Sequence, residues 1–332
     1  MRQLLINTLS IQSYSGDTKR MEAYILDFIE SMGLTAIYDD GNIYVTKGEA
    51  ETYPCIVSHT DSVHKIIDDG AFTIIANDEY AIGFDRFKML PSGCGGDDKV
   101  GIAICLQALI DFDNIKVAFF RDEEVGCIGS GFADLKWFQD CRFVLQCDRR
   151  GNSDFINEIY GTQLQSKQFK KDVRYILTKY GYTPTSGMLT DVYTLKESGL
   201  EVSVANISCG YYNPHDDNEI VVFEDVYNCY ALVSDIILSM DKTYKHKSRQ
   251  RGKYNDWYGG YDYGYKSYGG YKSGYNYSHN TKAKFQDPFT CQCCCDIVEG
   301  AEVTYNREYG EYICKTCNEW LEAETKQVEK IF

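Results

Sequence analysis

The sequence predicts an α/β fold: a three-layer αβα sandwich on a mixed, mostly parallel central sheet, followed by a small cysteine-rich module. Short, β-branched apolar runs alternate with amphipathic stretches through the first 245 residues. Because these runs are continuous and do not alternate with polar residues, they describe strands covered on both faces by helices. Near residue 246 the composition changes, and tyrosine and glycine dominate. Six of the fourteen cysteines then lie beyond residue 290.

In chain order, the runs PCIVSH (54–59), IKVAFF (115–120), CRFVLQCD (141–148) and LEVSVANIS (200–208) read as strands, and DDKVGIAICLQALIDF (97–112) as a helix. Residues 1–245 thus form one large domain. Residues 246–284, with YNDWYGGYDYGYKSYGGYKSGYNYSHN at their heart, show no apolar period and read as a low-complexity linker. It is a plain spacer or an aromatic tether able to stack on bases or sugars. Residues 285–332 form the cysteine-rich module and end in an acidic, helix-like tail.

Composition narrows the function. A formal net charge of −15 in 332 residues argues against binding nucleic acid or anionic membrane by the chain as a whole. No apolar stretch is long enough for a membrane span, and the first residues turn polar too soon for a signal peptide. The cysteines of the large domain sit mostly inside apolar runs, as small hydrophobes do. A reducing, cytoplasmic setting follows.

Charged residues follow each apolar run. His59 and Asp61 come after the first, Glu123 and Glu124 after the second, Asp148 after the third and His215 after the last, while Asp97 and Asp98 open the helix. In an open α/β sheet, ligands bind beyond the carboxyl ends of the strands. Taken singly, each residue has an ordinary reading: a satisfied histidine, a helix cap favoured by the dipole, a solvated turn. Five separate segments delivering acids or imidazoles to one sheet edge point instead to metal ions. Two histidines with three carboxylates suit zinc, with cobalt or manganese as alternatives. One bridging carboxylate would give a pair of ions about 3.5–4 Å apart.

The segments SHTDSV, GCGGDDKVGIA, RDEEVGCIGSG, CDRRG and NPHDDNE resemble, in order and spacing, the motifs of the co-catalytic zinc exopeptidases, among them peptidase T, glutamate carboxypeptidase and the leucyl-type aminopeptidases. The opening residues are similar too, with an amphipathic helix and a Gly-Asn turn into a strand. The resemblance covers about residues 1–240. It implies that His59 and Asp148 bind one ion, Glu124 and His215 the other, and that Asp97 bridges them in preference to Asp98. Asp61 would orient His59, and Glu123 would be the general base toward a metal-bridged water. Glu219 matches the acid of a His-x-x-x-Glu ending, with a structural role left open. Fewer than seventy residues separate Asp148 from His215, room for two helices and two strands but not for the lid domain of the peptidase T branch. A lid-free form is implied. Arg149 and Arg150 either capture a substrate carboxylate or offset local negative charge, and Asp191 falls at a substrate-side acid position. Cys94, Cys127 and Cys209 read as filler, with Cys94 and Cys209 open to thiol reagents.

In the C-terminal module, Cys291 and Cys294 form one Cys-x-x-Cys knuckle and Cys314 and Cys317 another, nineteen residues apart. That spacing suits a structural zinc with a closed thiolate shell. Cys293 or Cys295 could substitute for a neighbour. The intervening AEVTYNREYGEYIC alternates like a hairpin, and the layout resembles a treble-clef or ribbon zinc finger. Its many glutamates disfavour a phosphate backbone and favour a protein partner.

These features predict a metallopeptidase, an aminopeptidase or di/tripeptidase acting on peptides. A carboxypeptidase or N-acyl-amino-acid amidohydrolase with the same metals is the alternative. A non-catalytic adaptor presenting the finger is the alternative of another class.

Overall fold

A computed structural model describes residues 1–248, the short strand segments 283–284, 289–290, 297–298 and 302–306, and residues 311–315. The chain divides into two compact units, Met1–Trp257 and Tyr258–Phe332. The division falls inside the tyrosine-glycine stretch.

The first unit opens with helices α1 (Arg2–Ser10) and α2 (Lys19–Ser31). Strands β1 (Ala36–Asp39), β2 (Asn42–Lys47), β3 (Tyr53–His59), β4 (Phe72–Ala76), β5 (Tyr80–Asp85) and β6 (Leu90–Ser92) follow. Next come α3 (Gly96–Asp111), β7 (Ile115–Phe120), α4 (Ile128–Gly131), β8 (Cys141–Arg149), β9 (Asp154–Ile159) and β10 (Thr162–Gln163). The unit continues with α5 (Lys167–Tyr180), β11 (Thr183–Gly187), α6 (Asp191–Glu197), β12 (Val204–Ser208), β13 (Tyr211–Tyr212), β14 (Ile220–Val222) and α7 (Phe223–Ser239).

A nine-stranded sheet runs β1-β2-β7-β3-β8-β12-β9-β10, with β11 beside β9. Its centre, β7-β3-β8-β12, is parallel, and β2 and β9 join it antiparallel. The sheet is mixed and mostly parallel at its heart, as the apolar runs predict. Every residue of β3 and of β7 is buried. Successive side chains point to opposite faces. Ile56, Val117, Phe119, Phe143 and Leu145 meet α1, α2, α3, α5 and α7 on one side. Val57, Ala118, Phe120 and Val144 meet Phe138 and α6 on the other. Burial on both sides is why these strands read as unbroken hydrophobic runs.

Two sequence expectations shift. The run 200–208 is strand only from Val204, because the buried Lys196 ammonium takes the carbonyls of Leu200 and Val202, each at 2.7 Å. Between Asp148 and His215 lie the two expected helices, α5 and α6, but five strands instead of two. The additional ones are short, and all belong to the central sheet or to a second, antiparallel sheet of β13-β14-β5-β4 with β6. No separate domain is inserted there.

Among the described residues no helix is long and apolar enough to cross a membrane. The cysteines of the first unit, Cys94, Cys127 and Cys209 among them, are buried free thiols.

In the second unit, β15 (Ala283–Lys284), β18 (Glu302–Asn306) and β19 (Glu311–Cys314) form one antiparallel sheet, and β16 (Phe289–Thr290) pairs with β17 (Ile297–Val298). The β18–β19 pairing, Val303 with Cys314 through Asn306 with Glu311, is the hairpin that the alternation predicts. Cys291, Cys293, Cys294, Cys295 and Cys317 lie outside the described residues, and of Cys314 only the backbone is described.

Candidate metal centre

The parallel strands β3, β7 and β8 end side by side, with His59 opposite Phe120 in the β3–β7 register. Each hands its next polar side chains to the same edge. His59, the last residue of β3, is wholly buried. Its Nε2 lies 3.1 Å from Asp97 Oδ1 and 3.7 Å from Asp148 Oδ1. Its Nδ1 lies 3.2 Å from the Asp61 carboxylate, which fixes the ring's tautomer and direction. Asp61 also accepts from Ser15 Oγ (2.7 Å) and from the Glu123 and Glu124 amides (2.9 and 3.3 Å). Burial alone would raise its pKa, but these donors and the imidazole hold it below the usual carboxylate range.

The RDEE run divides in two. Arg121 and Asp122 pair with each other at 2.8 Å, and Asp122 also accepts the Gly16 amide at 2.8 Å. Glu123 and Glu124 turn toward the strand ends. Glu124 Oε2 lies 3.1 Å from His215 Nε2, while its Oε1 is buried with no hydrogen-bond partner. Glu123 Oε1 accepts the Cys127 thiol at 3.3 Å. Burial pushes Glu123 well above the usual range, reinforced by Asp148, Asp191 and Asp97.

The two aspartates at the head of α3 part company. Asp98 is wholly buried and spoken for: it accepts Ser58 Oγ at 2.5 Å, the His59 amide at 3.2 Å and the Gly101 amide at 3.1 Å. Asp97 offers one oxygen to each histidine, Oδ1 to His59 and Oδ2 to His215 at 3.5 Å. Only Asp97 therefore stands between the two imidazoles. His215 sits at φ 66° on the β13–β14 loop, and its side chain is half exposed. Asp97 and Glu124 push it up to about 10.

Asp148 closes the group. Its Oδ2 accepts Gln146 Nε2 (3.0 Å) and Thr190 Oγ1 (3.1 Å), and its Oδ1 the Tyr211 hydroxyl (3.3 Å). Burial and Asp97 push it up to about 7. Asp191, expected at a substrate position, is wholly buried. Gln146 donates to its Oδ2 at 3.1 Å and links it to Asp148, while its Oδ1 is buried with no hydrogen-bond partner. Arg149 is held by Asp154, with Nε at 3.0 Å and Nη2 at 2.9 Å. Arg150 is exposed.

Do these residues fit a pair of cations? Donor atoms of His59, Asp97 and Glu124 lie within 4.8 Å of one another, as do those of His59, Asp98 and Asp148, though Asp98 is already engaged by Ser58 and two backbone amides. Ligands about 2.1 Å from a tetrahedral ion stand roughly 3.4 Å apart. The 3.1–3.7 Å separations here match. Hydrogen bonds alone would also give such distances. Two further facts favour cations: the buried, unpartnered Oε1 of Glu124, and more carboxylates than two imidazoles can neutralise.

Sequence reasoning missed Gln146, which links Asp148 to Asp191, and His64, which lies 3.1 Å from Glu219. Gln146 had a signal: it is a polar residue inside the buried run Phe143–Cys147, two before Asp148 and therefore on its face.

No family model matches the chain, and no curated protein matches it. Solved structures do. The aminopeptidase PepT of Bacillus cereus aligns at TM-score 0.59 and 13% identity, over 72% of this chain and 97% of that one. An aminopeptidase of the archaeon Desulfurococcus kamchatkensis aligns at 0.57 and 15%, over 73% and 94%. A Staphylococcus aureus tripeptidase aligns at 0.54 and 13%, over 71% and 96%. The chain has the fold of these peptidases. At such identities the likeness is one of backbone, so the chemistry must be argued from the side chains above.

Proposed function

We propose that this chain is a two-metal exopeptidase that releases residues from the free N-termini of peptides. The observation that carries the reading is Asp97 with one oxygen toward each histidine, flanked by Asp148 beside His59 and Glu124 beside His215. His59, Asp97 and Asp148 would hold one ion, and Asp97, Glu124 and His215 the other, with zinc, cobalt or manganese all suited to the donor set. Ions so held acidify water and polarise a carbonyl.

The chain's own residues do the rest. Asp61 keeps the His59 imidazole aimed inward. Glu123, adjacent to Glu124, receives a proton from water and delivers it to the departing amine. Gln146 and Thr190 hold Asp148. Arg149, one of the two candidate carboxylate clamps, is occupied by Asp154, which favours an aminopeptidase over a carboxypeptidase.

In the C-terminal unit, Cys291, Cys294, Cys314 and Cys317 would bind a structural zinc and present a surface to a protein partner. The pairing of Thr290 with Ile297, residues that flank the first knuckle, supports this.

The test is to incubate the metal-loaded chain with free-amine peptides and N-acylated peptides and to assay released amines. Cleavage of free-amine peptides alone is expected. Cleavage of blocked peptides would indicate the deacylase or carboxypeptidase reading. No cleavage by a fully metallated sample would leave the adaptor.

A further inference from the structure

Three loops meet behind the candidate centre, and two residues outside the ligand set join them. Glu219 is wholly buried, and its carboxylate collects four donors. The Gly95 amide reaches Oε2 at 2.6 Å, and the Asp97 amide reaches Oε1 at 3.2 Å. His64 Nε2 lies 3.1 Å from Oε2, and the Cys94 thiol 3.5 Å from it. A carboxylate only accepts, so Nε2 carries the proton. The His64 ring lies directly over Gly93, where a Cβ would fall 1.9 Å from the ring. Glycine is therefore required for this approach. Gly95, at φ 65°, turns the loop back toward Asp97.

Each joined loop carries a candidate ligand. His64 follows His59 on the loop after β3, residues 93–97 deliver Asp97 to the head of α3, and Glu219 sits four residues past His215. The hydrogen bond to the Asp97 amide fixes the backbone from which that side chain reaches both imidazoles. Helix α3 cannot do this, because the backbone at Asp97 and Asp98 is not helical.

We infer that His64 and Glu219 form a clasp that sets Asp97 midway between the two cation positions. They are positioning residues and not ligands. The inference rests on the two-metal reading, since Asp97 needs such placement only if it serves two ions. Removing outer partners of metal ligands typically weakens metal binding about 10–100-fold. Because Asp97 faces both positions, both binding steps should weaken.

The test uses the full chain and Mn2+, a hard ion that prefers oxygen and imidazole donors to the tail's thiolates. Mn2+ affinity is followed by calorimetry and by the Mn2+ electron-spin signal, alongside the melting temperature of the metal-free protein. His64→Phe keeps a ring over Gly93 but loses the donor, and His64→Gln restores an N–H near the Nε2 position. Wild type should take up two ions, His64→Phe and Glu219→Ala should bind them about 10–100-fold more weakly, and His64→Gln should stay close to wild type. The double variant His64→Phe/Glu219→Ala should lose no more than Glu219→Ala alone, since the two side chains act as one unit. If Glu219→Ala does not fold, the His64 pair carries the comparison. Unchanged Mn2+ affinity in His64→Phe, with only a lower metal-free melting temperature, would overturn the clasp and leave an ordinary buried ion pair. A wild-type chain that takes up no Mn2+ would remove the two-ion premise instead, and that control separates the two failures.

Discussion

Glu123→Gln isolates the proposed proton carrier. Glutamine keeps the volume and the backbone N–H that donates to Asp61 at 2.9 Å. Its amide oxygen still accepts the Cys127 thiol, now 3.3 Å away. No contact found among His59, Asp97, Glu124, Asp148 and His215 passes through the Glu123 side chain. The substitution therefore removes the ability to take up a proton and little else. A positioned general base contributes about 10²–10⁴-fold. At 1.36 kcal/mol per decade this raises the barrier by about 3–5 kcal/mol. Stability should hold or rise slightly, because the site is crowded with carboxylates and burial already disfavours the charged form of Glu123. The assay is kcat on a free-amine peptide, with metal content measured on the same sample. Retention of more than about a tenth of the wild-type kcat would refute the role of Glu123. Loss of metal alongside activity would make Glu123 a ligand, and the division of labour between the two glutamates would be wrong.

Glu124→Gln should behave oppositely and lose Mn2+ in a binding titration, since Glu124 carries a buried, unpartnered oxygen beside the one that faces His215. Chelation should destabilise the first unit: an ion at a hundred times its Kd adds about 2.7 kcal/mol, roughly 5–10 °C in melting temperature for a unit this size. A scan that does not move on Mn2+ addition would count against any tight site. His246 is lowered to about 4 by burial and by the nearby Lys196 and Lys170 ammoniums. Its folded pKa lies below the unfolded value of about 6.5, so the unfolded chain binds the proton first. Stability is full above pH 6.5 and should fall as pH drops toward 4. Denaturant titrations of wild type and His246→Phe should diverge in that window, and parallel curves would contradict the reading. Phe143 packs against Phe169 and Tyr244 at ring distances of 5.9 and 6.2 Å. Phe143→Ala should cost about 3–5 kcal/mol in chemical denaturation, and a loss below about 1 kcal/mol would mean the site relaxes around the cavity.

What the sequence disclosed follows from where each residue's environment is encoded. The strands β3, β7 and β8 were legible because burial on both faces leaves no choice but continuous apolar residues. The candidate residues His59, Glu124 and Asp148 were legible for the same reason, since a charge at or just after the end of such a run has nowhere to go but the sheet's edge. The small antiparallel sheet was not legible. Ile220 pairs with Ile82 across about half of the unit's length, and strands of two to six residues leave little local pattern. The excess length assigned to β12 has a similar origin. Leu200 and Val202 look like strand, yet their carbonyls are claimed by Lys196.

The candidate centre divides along the same line. A ligand announces itself by chemistry at a strand end, whereas a positioning residue is defined only by what it touches. His64 and Glu219 are 155 residues apart in sequence and 3.1 Å apart in the fold, and nothing in either local sequence points to the other. Asp97 and Asp98 are adjacent and chemically equal, and what separates them is tertiary: Ser58 and the His59 amide arriving from β3, with the Gly101 amide, engage Asp98, while Glu219 holds the Asp97 backbone. Composition at strand ends therefore marks the candidate donor set. The placement of Asp97 between the two imidazoles depends instead on contacts between loops, and on the two-metal reading substitutions at His64 or Glu219, outside that set, should alter metal affinity.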